Sequence, residues 1–164
     1  MPRWTTYLPR ITVQDDIGPN EEEAALFALL ASHPEQKRER CNLHQTLCKV
    51  ARARAHDMAT RNYLKHVDPD GLGPNFHVRA AGYRLPIEWP MDVEKNFIES
   101  IAGGHPTAQR VWDAWLDSPP HRGHALGEGT HWGIQLNLGC GYAFNAESLN
   151  QHYFCMISAP VEDE

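Results

Sequence analysis

Upstream of residue 130 the apolar residues recur every three or four positions, and downstream of it they alternate. That switch of period excludes most architectures at once. Leu47, Val50, Ala51, Ala55, Met58 and Ala59 form one stripe on a helix expected over Gln45 to Tyr63, with Arg52, Arg54, Asp57 and Arg61 largely off it. Trp132, Ile134, Leu136 and Leu138 alternate with Gly133, Gln135 and Asn137, and Tyr153 to Ser158 reads as the partner strand across a polar loop. Helices first and a hairpin last point to α+β layering rather than a doubly wound sheet.

The remaining elements fit this frame. A first helix is expected after Asn20, a good N-cap, with Glu21, Glu22 and Glu23 in its first turn and an end near Pro34. A short helix is expected over Asn75 to Ala81, closed by Gly82. Pro86 and Pro90 mark a loop over residues 85–95, and Asn96 to Ile101 reads as a short strand. A third helix starts at Pro106, presents Val111, Trp112 and Trp115, and breaks at Pro119-Pro120, with a further turn of helix through Leu126. Residues 1–20 read as an irregular segment, 21–160 as one domain and 161–164 as an acidic tail.

A net charge of −6 argues against a phosphate-backbone binder, so no nucleic-acid partner is expected. The basic cluster Lys37, Arg38 and Arg40, flanked by Glu35 and Glu39, reads as a solvated helix end. No run of about 18 apolar residues exists, so no membrane span is expected. The first residues, Met1-Pro-Arg-Trp-Thr-Thr, lack the apolar run of a signal peptide. Either the protein stays inside the cell, or a leader or larger precursor has been trimmed. Four cysteines, with no Cys-x-x-Cys pair, fit two disulfides: Cys140 with Cys155 across the expected hairpin, and Cys41 with Cys48 locally. The alternative is four buried free thiols acting as small hydrophobes.

Three ordered patterns carry the chemistry. Asp57-Met-Ala-Thr-Arg-Asn-Tyr-Leu-Lys-His66 leads into Val-Asp-Pro-Asp-Gly71; Glu99-Ser-Ile-Ala-Gly-Gly104 follows; then Ala114-Trp-Leu-Asp-Ser-Pro-Pro-His121-Arg122. In this order, over roughly residues 20–160, they resemble the CAP superfamily, which includes cysteine-rich secretory proteins, insect venom antigen 5, plant pathogenesis-related proteins and bacterial SCP-domain proteins. The His66-x-Asp-Pro-Asp-Gly turn and the Trp-Leu-Asp-Ser-Pro-Pro-His-Arg run are most similar to the bacterial branch.

The resemblance implies a three-layer α-β-α sandwich with a central antiparallel sheet and a cleft lined by His66, Glu99 and His121. It also implies a divalent metal, zinc first, on those three residues, and a secreted or cell-envelope location. Two motif positions depart from the pattern, Ser100 replacing an asparagine and Ile98 a glycine. Where eukaryotic members carry a second cleft glutamate, this chain offers Asp113, Asp117 and Ser118.

The residue chemistry stands without the resemblance. Two neutral imidazoles and a carboxylate make a zinc site with an open position for water, and a free carboxylate beside that water acts as a general base. The bland reading of any one histidine is a hydrogen-bonded surface residue. Other candidates are weaker. His121, His124 and His131 form a loose alternative cluster. Asp68-x-Asp70-Gly71 looks like part of a calcium loop but has Arg79 where a glutamate belongs. Ser118 near His121 lacks a nucleophile elbow and reads as a cap or turn residue. Three functions follow: a binding module for a cell-envelope glycan, lipid or protein; a zinc-dependent hydrolase with His66 and His121 as ligands and Glu99 as base; and a lipid or sterol carrier.

Overall fold

The computed structural model describes residues 19–163. The irregular segment expected over residues 1–18 lies outside that range. The elements follow in order: α1 Glu21–Ser32, β1 Asn42–Leu43, α2 Gln45–Arg61, α3 Pro74–Ala80, β2 Glu99–Gly103, α4 Ala108–Leu116, α5 Pro119–Leu126, α6 Gly129–Gly133, β3 Asn137–Phe144 and β4 His152–Ala159. These four strands form one sheet in the order β1-β3-β4-β2, antiparallel except for the two-residue β1, which runs parallel to β3.

The sheet is covered on both faces, which makes the expected three-layer sandwich. Strand β4 shows it directly. Tyr153, Cys155, Ile157 and Ala159 enter one core with Leu47, Val50, Ala51, Ala55 and Met58 of α2. Phe154 and Met156, on the other face, meet Leu26 and Leu30 of α1, Val111, Trp112 and Trp115 of α4 and Leu126 of α5. A strand buried on both faces loses its polar alternation, and seven of the eight β4 residues are buried.

The start of α1 is as expected. Asn20 accepts from the Glu23 amide at 2.9 Å while the Glu23 carboxylate accepts from the Asn20 amide at 2.9 Å, a capping box. The C-terminal hairpin begins later than the alternation implied. Trp132 lies in the short helix α6, and β3 runs instead through Gly139-Cys-Gly141. Those glycines are the reason. A methyl group on Gly139 would collide with the backbone of Leu47 and Cys48, and one on Gly141 with that of Ala51 and Arg52. Helix α2 lies directly on bare strand backbone, where a side-chain pattern has nothing to show.

Three further expectations change. The disulfides are absent: all four cysteines are free. Cys140 pairs in register with Met156, and Cys155 with Gly141, so the two thiols stand one residue out of step on opposite faces of the sheet. Arg38 is not solvated but 5% exposed. It donates to the carbonyls of Gln135 at 2.7 Å, His124 at 2.8 Å and Ala125 at 3.2 Å, thereby satisfying the free carbonyl end of α5. Arg52 and Arg54 are buried rather than off the apolar stripe. Arg52 grips Glu23, with Nη2 at 2.8 Å from Oε1, and so ties α2 to α1.

Candidate functional site

Glu99 opens β2 with its side chain fully buried. A carboxylate there needs partners, and α2 supplies the main one. Arg54 Nε donates to Oε2 at 2.8 Å and Nη2 to Oε1 at 3.0 Å, a two-pronged pairing across the core. The rest of the guanidinium is also spoken for: Nη1 donates to the Tyr63 hydroxyl at 2.8 Å, and Nη2 to the carbonyls of Lys65 at 2.9 Å and His66 at 3.0 Å. One arginine therefore fixes both Glu99 and the backbone that carries His66. Burial pushes the Glu99 carboxyl up, but Arg54 and His66 outweigh it and hold it at about 2.

His66 sits in the chain that leaves α2. The helix ends on Asn62 in the left-handed conformation, φ 56°, whose amide returns to Met58. Beyond His66 the turn is closed by Asp68, whose Oδ1 accepts from the amides of Asp70 at 2.9 Å and Leu72 at 3.0 Å. Asp68 Oδ2 meets His77 Nε2 at 2.8 Å. This aspartate organises the turn; the calcium reading gains nothing. His66 Nδ1 lies 2.9 Å from Glu99 Oε1. Ionised Glu99 can only accept, so Nδ1 carries the proton, and in the neutral ring the lone pair is on Nε2. Among the described residues Nε2 has no hydrogen-bond partner, and the side chain is 38% exposed.

His121 comes from α5. Its Nδ1 lies 2.8 Å from Ser118 Oγ, and its ring stacks on Trp115 at 6.3 Å and 12°. Ser118 occupies the N-cap position of α5, but its hydroxyl serves His121 instead of a helix amide. In the tautomer whose Nδ1–H donates to Oγ, Nε2 of His121 is open as well. Burial, and then repulsion from His66 when that ring is protonated, lower the His121 pKa, which favours the neutral ring.

The structure therefore brings His66 and Glu99 into contact, and His121 lies within electrostatic reach of His66. It does not make Glu99 an equal third ligand, because Arg54, His66 and the Cys155 thiol, 3.3 Å from Oε2, take up its oxygens. Among the described residues no three His, Cys, Asp or Glu side chains are grouped to hold a metal. The side chains that could hold an ion here are the imidazoles of His66 and His121, each hydrogen-bonded through Nδ1. A carboxylate behind a ligating histidine fixes its tautomer and raises its basicity. The alternative His121–His124–His131 cluster is dispersed. His124 is 1% exposed, with both ring nitrogens on serine hydroxyls at 2.7 Å. A serine-hydrolase arrangement at Ser118 lacks donors for an oxyanion: the first two residues of α5, Pro119 and Pro120, have no N–H.

A model of the cysteine-rich secretory protein family, CAP, matches residues 34–158. The chain belongs to the CAP family. In sequence this CAP domain is similar to the uncharacterized protein YkwD of Bacillus subtilis, 32% identical over 93 residues, which are 56% of this chain and 33% of that protein. It thus spans about a third of that curated relative. Among solved structures, an outer surface protein of Borrelia burgdorferi superposes with a TM-score of 0.67 at 20% identity, over 89% of this chain and 97% of that one. An extracellular SCP-domain protein of Bacillus anthracis superposes at 0.62 and 20% identity, over 85% of this chain and 41% of that one. At these identities the likeness is one of fold. No helix of the described residues is long and apolar enough to cross a membrane.

Arg54, the partner of Glu99, is the residue that reading the sequence missed. It stands four after Val50, three after Ala51 and four before Met58, on the buried stripe itself. A charged residue at such a position signals a buried partner.

Proposed function

We propose that this CAP domain is a ligand-binding module of the cell exterior or envelope whose cleft holds a divalent ion, zinc first, on Nε2 of His66 and Nε2 of His121. The supporting observation is the His66 Nδ1–Glu99 Oε1 contact at 2.9 Å, with Glu99 locked by Arg54. Glu99 sets the His66 tautomer and supplies negative charge behind the ring. A bound ion would act as a Lewis acid toward an oxygen of the ligand. The ligand is a cell-envelope glycan, lipid or protein group that offers such an oxygen at the open coordination positions. The extracellular and outer-surface descriptions of the solved relatives support the location.

The hydrolase reading with Glu99 as base is disfavoured. A carboxylate held at about 2 by an ion pair is a poor proton acceptor at neutral pH. The apolar hollow seen among the described residues is small for a lipid or sterol. Bounded by Phe27, Leu43, Cys48 and Cys140, it measures about 100 Å³, against roughly 300–1,000 Å³ for pockets that take drug-sized ligands.

Metal analysis after dialysis, followed by zinc titration, tests the proposal. Wild type is expected to take up one zinc, and the His66→Ala, His121→Ala double variant to lose it. Equal and negligible uptake by both would remove the metal from the cleft's function. Turnover of an ester, peptide or glycan by the zinc-loaded protein would overturn the binding-module reading.

A further inference from the structure

His66, Glu99 and His121 come from the chain after α2, from β2 and from α5, and one buried side chain joins the last two. His124 lies one turn beyond His121 on α5 and is 1% exposed. Its Nδ1 is 2.7 Å from Oγ of Ser100, the residue after Glu99 on β2. Its Nε2 is 2.7 Å from Oγ of Ser158 on β4.

The bonding direction around the ring follows from donor counting. Ser158 Oγ donates to Gln135 Oε1 at 2.6 Å, and Gln135 Nε2 donates to the Phe97 carbonyl at 3.2 Å. The Ser158 hydroxyl proton is thereby used, so Ser158 accepts from His124 Nε2–H, and Nδ1 accepts from the Ser100 hydroxyl. Every polar atom in the chain Ser100–His124–Ser158–Gln135 is satisfied with His124 neutral in one tautomer. The Trp132 ring covers the imidazole at 4.1 Å, and Arg38 holds the His124 carbonyl at 2.8 Å. A buried and fully satisfied polar network specifies a single arrangement of the elements it joins, because any shift leaves a buried group unpaired.

We propose that His124 is a positioning residue of the cleft: through Ser100 it fixes α5 against β2, and so sets where His121 stands relative to the Glu99–His66 pair. The proposal deepens the two-histidine reading above and rests on it for its functional consequence. The Ser100 bond is the operative one, since Ser100 adjoins Glu99; the Ser158 bond anchors the ring to the neighbouring strand.

Two substitutions separate the bonds. In His124→Asn the side-chain oxygen stands near the Nδ1 position and still accepts from Ser100. In His124→Gln the side-chain amide stands near Nε2, serves Ser158 and abandons Ser100. Both remove the ring, so a general packing role predicts similar losses from each. The full chain is titrated with zinc, and the ring-proton NMR shifts of His66 and His121 are recorded without metal. His124→Asn is expected to keep the wild-type shifts and zinc affinity, while His124→Gln moves the shifts and weakens zinc by about tenfold. In wild type, nitrogen-detected NMR is expected to find His124 as the Nε2–H tautomer. The Nδ1–H tautomer, or equal effects of the two variants on the shifts, would overturn the proposal. If wild type takes up no zinc but the shifts still separate the variants, the positioning role stands and the zinc reading falls.

Discussion

Arg54 Nη2 lies 3.0 Å from Glu99 Oε1, the same oxygen that meets His66 Nδ1 at 2.9 Å. One carboxylate oxygen is thus shared between a structural cation of α2 and a cleft imidazole. The electrostatics around His66 are set from inside the core.

Removing Arg54 alone leaves a buried carboxylate without its cation. Arg54→Met is expected to cost about 3–5 kcal/mol, the range for breaking one side of a buried pair. Adding Glu99→Gln to that variant should recover a good part of the loss, because the orphaned charge goes with it. Urea unfolding of the two single variants and the double variant measures the coupling. Additive losses would mean the pair is not coupled.

The acid side of the stability profile is expected to decline in two pH ranges. Glu99 has a folded pKa of about 2 against an ordinary 4.5. A depressed carboxyl stabilises above its unfolded value, and the contribution is lost as pH falls from 4.5 toward 2. His124 is held well below 6.5 by burial, reinforced by the charges of Arg38 and nearby histidines. The unfolded chain takes up that proton and the folded one does not, so stability also falls as pH drops below 6.5. The slope contributed is at most about 1.4 kcal/mol per pH unit per proton. Denaturant midpoints across pH should show both declines in wild type. Glu99→Gln should weaken the lower one, to which Asp68 also contributes, and His124→Asn the upper one, to which His121 and His56 also contribute with shifts of the same sign.

Thiol accounting distinguishes this CAP domain from a disulfide-stapled one. Denatured protein is expected to expose four reactive thiols. In the folded state Cys140 and Cys155 should be silent to a thiol reagent, being buried with burial pushing both thiols well above 9. Fewer than four thiols after denaturation without reductant would contradict the free-cysteine structure.

Gly139→Ala and Gly141→Ala are expected to destabilise by about 1–3 kcal/mol or more, because a methyl would meet α2 backbone that cannot yield as a side chain does. The displaced helix carries Arg54, so the same variants should weaken zinc uptake. A change at Gly82, where a methyl meets nothing within 4 Å but φ is +94°, separates backbone strain from this collision.

Much of this was legible in the sequence, and the exceptions share a cause. Helices α1, α2, α4 and α5 announce themselves by caps, prolines and three- to four-residue stripes, and the motifs single out His66, Glu99 and His121. The missed features depend on what lies opposite in space. Gly139 and Gly141 carry no pattern because their task is to have no side chain. Cys140 and Cys155 sit in paired strands, yet the parity of the 145–151 loop sets them on opposite faces. Arg38 looks solvated until the carbonyl end of α5 arrives above it. Arg54 was readable from its stripe position, but its partner lies 45 residues away on strand β2.

The most direct test of the two-histidine cleft is anomalous diffraction at the zinc edge from crystals equilibrated with zinc. One anomalous peak is expected within coordination distance, about 2.0–2.1 Å, of Nε2 of both His66 and His121, with the Glu99 oxygens still on Arg54 and His66. A peak ligated directly by Glu99 with Arg54 displaced, or no peak between the two imidazoles, would contradict it.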